Sequence, residues 1–438
     1  MDEGTPSDPW FRLKDLPMGT TVEIAGSDGR RWKGTLVPSH DLSGGRIIQL
    51  KLDSGYNVGI RVAPGDRVEV ITPPPKSGGD GAPAPRGPAP PAPPPGHIAL
   101  LTTGGTIASR VDYRTGGVRP VSDEAGILEF YPGLDTDGPV HVVHVFDRLS
   151  EDISPEDWST LALRVAEAFS GGAHGVVVAH GTDTMAFTSA ALAFQLSRLP
   201  GPVVLVGAQR SPDRPSSDGP SNLRAAVRLA RHPALGEVVV LMHADLSDDR
   251  FAVHRGTRVR KMHSSRRDAF RSRNGPPLGW VNSEGITLDQ PFRTAVAGAV
   301  IVEPLDPRGG LLWSYPGMDP DAAARYVEPL RGVILAGTGL GHVSSNHLPW
   351  IRAAVARGQV VAMTTQCLEG PADPYVYATG RELLRAGVLY LDDLLPETAY
   401  AKLLWALGRS TDPQEVKNLL SADRAGESEA RHLVGGPE

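Results

Sequence analysis

Gly175-Val176-Val177-Val178-Ala179-His180-Gly181-Thr182-Asp183-Thr184-Met185 is the stretch whose reading decides the fold. Its apolar run has no polar alternation, so both faces of the predicted strand are covered. The run stops at a glycine and is followed by a hydroxyl and a carboxylate side by side. Similar runs recur at HIALLTT (97–103), PVVLVGA (202–208), EVVVLMH (237–243), AVAGAVIVEP (295–304), GVILAGTG (332–339) and QVVAMTTQ (359–366). Helical patterns lie between many of them, such as PEDWSTLALRVAEAF (155–169) and SNLRAAVRLAR (221–231). Apolar strands alternating with amphipathic helices predict an α/β body with parallel sheets flanked by helices. In such sheets ligands sit beyond the carboxyl ends of the strands, which makes each strand end a candidate site.

Outward from this body the composition changes. Residues 73–96 read PPPKSGGDGAPAPRGPAPPAPPPG, with almost nothing to bury, and predict an extended linker. Before it, TTVEIAG, RWKGTLVPS, RIIQLKL, YNVGIRV and RVEVI alternate apolar and polar residues between Gly-, Asp- and Ser-rich turns. They predict a small N-terminal β-barrel domain over residues 1–72. Beyond the linker the body divides into a large lobe over 97–290, carrying the motifs below, and a small C-terminal lobe over 295–438.

Composition excludes several classes. The 438 residues carry a formal charge of -6, which argues against coating nucleic acid by bulk charge. A single cysteine excludes a disulfide framework and Cys-based metal sites. The acidic start MDEGTPSDPWFRLKD lacks the order of a signal peptide, and no apolar run nears the ~18 residues of a membrane span. A soluble cytoplasmic protein without membrane contact is expected.

Three segments can carry chemistry. Thr102-Thr103-Gly104-Gly105-Thr106 ends a strand in two glycines that let the backbone turn sharply, with a threonine aimed into the crevice. It matches neither a phosphate loop nor a dinucleotide fingerprint. His180-Gly181-Thr182-Asp183-Thr184 reads either as chemistry or as a helix N-cap. Arg258-Val259-Arg260-Lys261-Met262-His263 sets a lysine among arginines, in a chain where most of the 44 basic residues are arginine. Lysine exchanges its proton when desolvated and arginine does not, although the segment also reads as a solvated basic loop. Together the segments suggest nucleophilic acyl transfer. A threonine hydroxyl needs a base, a lysine held by an aspartate can relay its proton, and glycine-turn N–H groups can hold the oxyanion.

TTGGTIAS (102–109) followed by AHGTDTM (179–185) resembles the paired signature of the asparaginase/glutaminase amidohydrolases, and GAQRSPDRPSSDGPSNL (207–223) and RVRKMHSS (258–265) look like the same family. KLDSGYNVGIRV (51–62), SRVDYRTGGVRP (109–120), LSEDISPEDW (149–158), TTQCLEG (364–370) and 379–408 resemble one branch of it, the D-type subunit of archaeal glutamyl-tRNA(Gln) amidotransferase. The resemblance implies Thr106 as first nucleophile with Tyr113 as activating neighbour. It implies Thr182, Asp183 and Lys261 as a second catalytic group, and Ser150, Glu151 and Asp183 as holders of the substrate's amino-acid end. It implies a small amide substrate, glutamine or asparagine, with no metal and no cofactor. Its expected partners are a second copy in a homodimer and a tRNA-binding amidotransferase subunit. A stand-alone L-asparaginase and a non-catalytic tRNA- or protein-binding scaffold are the alternatives. All five motif residues are chemically competent, which argues against the scaffold.

Rival chemistries find less support. Cys367 has no strained elbow or neighbouring histidine and reads as a buried thiol. His243, Asp245, Asp248 and His254 lack paired metal-ligand spacing and read as core or solvated groups. The arginines of 258–273 read either as an RNA contact or as a lid that ion-pairs locally.

Overall fold

The computed structural model describes residues 8–37, 46–52, 57–72, 93–105, 109–111, 118–120, 131, 133–210 and 217–429. The described parts of Met1–Ala92, Ser109–Val121 and Arg210–Ser217 form one compact unit. Those of Pro93–Ala108, Ser122–Gln209 and Asp218–Glu438 form the other.

In the first unit, a short helix Pro9–Lys14 is capped by Asp8, whose carboxylate accepts the Trp10 N–H. Strands β1 (Thr21–Ala25), β2 (Arg31–Val37), β3 (Ile47–Leu52), β4 (Asn57–Arg61) and β5 (Arg67–Thr72) follow. They pair antiparallel in the order β4-β3-β2-β1-β5. Val22, Ile24, Leu36, Leu50 and Ile60 close over Leu13 of the helix as the core. Among the described residues β4 and β5 share no ladder, and β5 is mostly exposed. The sequence predicted a barrel; the described residues form a five-stranded antiparallel sheet, because closure needs that missing β4–β5 pairing.

The second unit begins with β6 (Ile98–Thr102). After a hairpin of β7 (Ser109–Val111) and β8 (Val118–Pro120), which groups with the first unit, come β9 (Val140–His144), β10 (Gly175–Ala179), β11 (Leu196–Ser197) and β12 (Val203–Val206). Then follow β13 (Val238–His243), β14 (Arg250–Arg255), β15 (Val259–Lys261), β16 (Phe270–Ser272), β17 (Gly279–Asn282) and β18 (Ile286–Leu288). The main sheet has eight strands in the order β18-β17-β14-β13-β12-β10-β6-β9. Its half from β9 to β13 is parallel, whereas β14, β17 and β18 are antiparallel. The sheet is therefore mixed where the sequence predicted a parallel one. Only Ala244–Asp249 joins β13 to β14, and a parallel crossover needs a dozen residues or more.

Of the parallel strands, β6, β10, β12 and β13 are buried along their whole length, which is why they read as unbroken apolar runs, whereas the edge strand β9 alternates. Helix Pro155–Ser170 covers one face. Ser154 and Asp157 cap its start reciprocally, Pro155 fits its first turn, and Trp158, Leu161, Ala162 and Val165 recur at helical spacing on the buried side.

The stretch 295–304 departs from expectation. Only β19 (Ile301–Val302) pairs, with β11, and much of 295–300 is exposed. A second, fully parallel sheet follows, β20 (Gly309–Trp313), β21 (Gly332–Gly337), β22 (Val360–Thr365) and β23 (Leu389–Tyr390). Helix Pro396–Arg409 packs against helix Met185–Gln195, with Trp405 and Phe194 stacked 6.0 Å apart. That stack lies in the core of the second sheet, while Leu192, on the same helix as Phe194, packs into the core of the main sheet. Among the described residues no helix is long and apolar enough to cross a membrane.

Candidate active site

The ends of β6 and β10 meet through glycine. Gly104 and Gly105 have φ of 94° and 75°, a region favoured by glycine. A Cβ on Gly105 would lie 2.6 Å from the Gly181 nitrogen, so only bare backbone lets the two turns touch. Thr103 ties them further, its hydroxyl donating to the Ala179 carbonyl at 2.9 Å. Thr106 and Tyr113 lie outside the described residues.

A third segment joins at Gly181. The Arg148 N–H donates to the Thr103 carbonyl at 3.0 Å, and the Arg148 side chain holds Asp157. This sets the single turn Ser150–Asp152, where buried Ser150 lies against Gly181 and donates to Glu151 at 3.4 Å. A Cβ on Gly181 would meet the Ser150 Cβ at 2.7 Å. Thr184 stands at the N-cap of helix Met185–Gln195, but its hydroxyl donates to the Ser150 carbonyl at 2.7 Å and caps nothing. Capping therefore does not account for the hydroxyls of this turn.

Thr182 is buried and Asp183 is 66% exposed at its side chain. Lys261 reaches both from the last residue of β15. Its Nζ donates to Thr182 Oγ1 at 2.8 Å and to Asp183 Oδ1 at 2.5 Å. The hairpin β15–β16 fixes that reach: Val259 buries its side chain in the core of the main sheet beside Ala269 and Phe270, and Lys261, two residues on, leaves the strand on the same side, with Arg260 between them turned away. Thus Ser150, Thr182, Asp183 and Lys261 converge beyond the carboxyl ends of β6 and β10, with Glu151 exposed beside Ser150.

His180 supports the turn from beneath. It is fully buried, burial pushes its imidazole down to about 4, and its Nδ1 lies 2.6 Å from the Gly181 carbonyl. A carbonyl only accepts, so the ring is neutral with its proton on Nδ1.

Some contributions were not read from the sequence. Gly207, after β12, leaves room for the Thr182 methyl. Its position at a strand end, level with Gly104 and Gly181, was the available signal. The segment beyond it is braced by Asp218, which accepts the Gln209 N–H at 3.0 Å, and by Asn222, which donates to the Gly207 carbonyl. His243 joins Asn222 to Asp248 at 2.7 and 2.9 Å, and His254 meets Ser272 at 2.8 Å, both as buried groups. Among the described residues no three His, Cys, Asp or Glu side chains gather to hold a metal ion. Cys367 is exposed, not buried as its sequence suggested, because it follows the end of β22 instead of lying in it. Of the arginines of 258–273, Arg266 and Arg271 pair locally with Asp268, whereas Arg258, Arg260 and Arg273 pair with Asp393, Glu397 and Glu369, far away in sequence.

Most of the chain is similar to known proteins. Residues 97–293 match the family model "Asparaginase, N-terminal", and 310–420 match "Glutaminase/Asparaginase C-terminal domain". Residues 16–71 match "GatD N-terminal domain". The chain is 43% identical to the D-type subunit of glutamyl-tRNA(Gln) amidotransferase from Saccharolobus islandicus strain M.16.27, over 99% of this chain and 98% of that protein. Identity to the Pyrococcus furiosus protein of the same name is 42%, over 95% and 96%. The thermostable L-asparaginase from Thermococcus kodakarensis superposes with a TM-score of 0.70 at 32% identity, covering 76% of this chain and all of that one. The chain therefore belongs to the asparaginase/glutaminase family of amidohydrolases, in the branch of the D-type glutamyl-tRNA(Gln) amidotransferase subunits.

Proposed function

We propose that this amidohydrolase releases ammonia from the side-chain amide of glutamine, as the glutaminase subunit of a glutamyl-tRNA(Gln) amidotransferase. The observation that carries the reading is the contact of Lys261 Nζ with both Thr182 Oγ1 and Asp183 Oδ1. One atom that can exchange a proton touches a hydroxyl and a carboxylate at once.

The reaction divides into acylation and hydrolysis. Thr106, activated by Tyr113, or Thr182, activated by Lys261, attacks the amide carbon; the hydroxyl proton leaves for the departing ammonia. Backbone N–H groups of the glycine turns hold the oxyanion, each donor contributing about 3–4 kcal/mol. Water then cleaves the acyl-threonine to glutamate. Ser150, Glu151 and Asp183 hold the α-carboxylate and α-ammonium groups of the substrate. Neither step calls for a metal or organic cofactor.

The same reading extends to organisation. An N-terminal domain over 1–72, a linker over 73–96 and lobes over 97–290 and 295–438 fit the separate matches at 16–71, 97–293 and 310–420. The chain acts in the cytoplasm as a homodimer beside a tRNA-binding subunit, to which the ammonia passes. Stand-alone asparaginase activity is the second reading, favoured by the likeness to the Thermococcus enzyme. The two substrates differ by one methylene, a distinction worth ~1–3 kcal/mol.

Ammonia release from glutamine and from asparagine, by the purified chain with and without its tRNA-binding partner, tests this. Glutamine turnover that rises with the partner is expected. Strong asparagine turnover without any partner selects the second reading, and no release from either amide removes both.

A further inference from the structure

The residues beside Lys261 show a division of labour that the proposed mechanism does not use. Along β15 side chains alternate. Val259 enters the core of the main sheet and Lys261 reaches Thr182. Arg258, just before the strand, and Arg260 turn the other way, toward the start of helix Pro396–Arg409. Arg258 Nη1 lies 3.1 Å from Asp393 Oδ2, and Arg260 Nε lies 2.9 Å from Glu397 Oε1. The other strand of the hairpin continues the contact. After β16, Asn274 donates to the Asp393 carbonyl at 2.8 Å and accepts the Gly370 N–H at 2.9 Å.

Helix Pro396–Arg409 therefore touches both sides of the proton-exchange site. Its first turn holds the strand that carries Lys261, and its last turns stack Trp405 on Phe194. Phe194 belongs to the helix that follows Thr182 and Asp183. A single element thus contacts both the strand that carries the amine and the helix that follows its two acceptors.

Stability alone is a poor reason for these ion pairs. The Arg258 and Asp393 side chains are 6% and 0% exposed, those of Arg260 and Glu397 19% and 9%. Arg260 Nη1, Arg258 Nη2 and Glu397 Oε2 have no hydrogen-bond partner among the described residues. Burial pushes the Glu397 carboxyl up against the pull of Arg260. A buried pair of this kind is often replaced by apolar residues with no loss of stability.

We propose that Arg258–Asp393 and Arg260–Glu397 are positioning pairs through which the C-terminal lobe sets Lys261 against Thr182 and Asp183. The inference rests on the proton-exchange role given to Lys261 above. Misplacing a reacting group by about 1 Å lowers a rate by up to ~10²-fold. Ser150 and Glu151, which hold the substrate, stand on a different segment.

The test measures kcat and KM for glutamine hydrolysis by the full chain with its partner, and Tm. Arg260→Met should lower kcat at least ~10-fold and change KM less than ~3-fold. Glu397→Gln, which keeps an acceptor for Arg260, should retain most activity. Arg260→Met/Glu397→Leu leaves no lone charge, keeps the protein folded if the single variant is not, and should lose no more activity than the single variant. Wild-type kcat in this folded double variant overturns the proposal. Lys261→Arg separates the two levels. If it is inactive while the double variant is fully active, only the positioning role fails; if it is fully active, the proton-exchange reading fails first.

Discussion

Thr182 rests its methyl group against the bare Cα of Gly207. A Cβ at position 207 would stand 2.7 Å from Thr182 Cγ2, 2.8 Å from Met185 Cε and 2.9 Å from the His180 carbonyl. The φ of Gly207 is not in the left-handed region, so alanine there adds volume without backbone strain. Gly207→Ala should push Thr182 off its contact with Lys261. Steady-state kinetics on glutamine should show kcat falling ~10-fold or more with KM changed far less.

Gly105→Ala combines two faults. Its φ of 75° strains an L residue, and the new Cβ would lie 2.6 Å from the Gly181 nitrogen. The turns of β6 and β10 must then separate. Amide hydrolysis should fall at least ~10²-fold, the scale of losing an oxyanion donor, with Tm lowered by only a few degrees, as read by calorimetry.

Trp405 joins the lobes by stacking on Phe194 and donating to Glu303 at 2.8 Å. It is 2% exposed, so truncation leaves a cavity. Trp405→Ala should destabilise the protein by about 3–5 kcal/mol, seen in the denaturant midpoint. Trp405→Phe, which keeps the stack and loses the donor, should cost about half of that or less.

Two buried histidines make the fold acid-sensitive. Burial pushes His180 down to about 4 and His254 to about 3, from an ordinary 6.5, with the Arg271 charge adding to the second. Below pH 6.5 the unfolded chain binds these protons and the native state does not. Their stabilisation is therefore complete above 6.5 and is lost as pH falls toward 4 and 3. For His180 this amounts to on the order of 3 kcal/mol. Tm should drop between about pH 7 and pH 5, and His254→Gln should flatten the drop.

Strands β6, β10, β12, β13, β21 and β22 and the glycine ends of β6 and β10 were legible because burial on both faces leaves an unbroken apolar signature, which the parallel strands β9, β20 and β23 lack. Strands β14, β17 and β18 were not, since Arg250, Arg255, Trp280 and Asn282 break that signature where one face meets polar groups. The stretch 295–304 misled for the opposite reason: its apolar residues are numerous, yet only Ile301 and Val302 find a strand partner. Lys261 was legible from its rarity among arginines. The roles of Arg258 and Arg260 were not, because Asp393 and Glu397 lie more than 130 residues away, a separation local pattern does not bridge.

The most direct test of the mechanism compares kcat for glutamine hydrolysis in the wild type, Thr182→Val and Lys261→Arg, each assembled with the tRNA-binding partner. Valine keeps the volume of Thr182 and removes the hydroxyl that accepts from Lys261. Arginine keeps the charge of Lys261 and removes proton exchange. Each variant should lose at least ~10²-fold in kcat. Full amidase activity in both would contradict a threonine–lysine mechanism at this site.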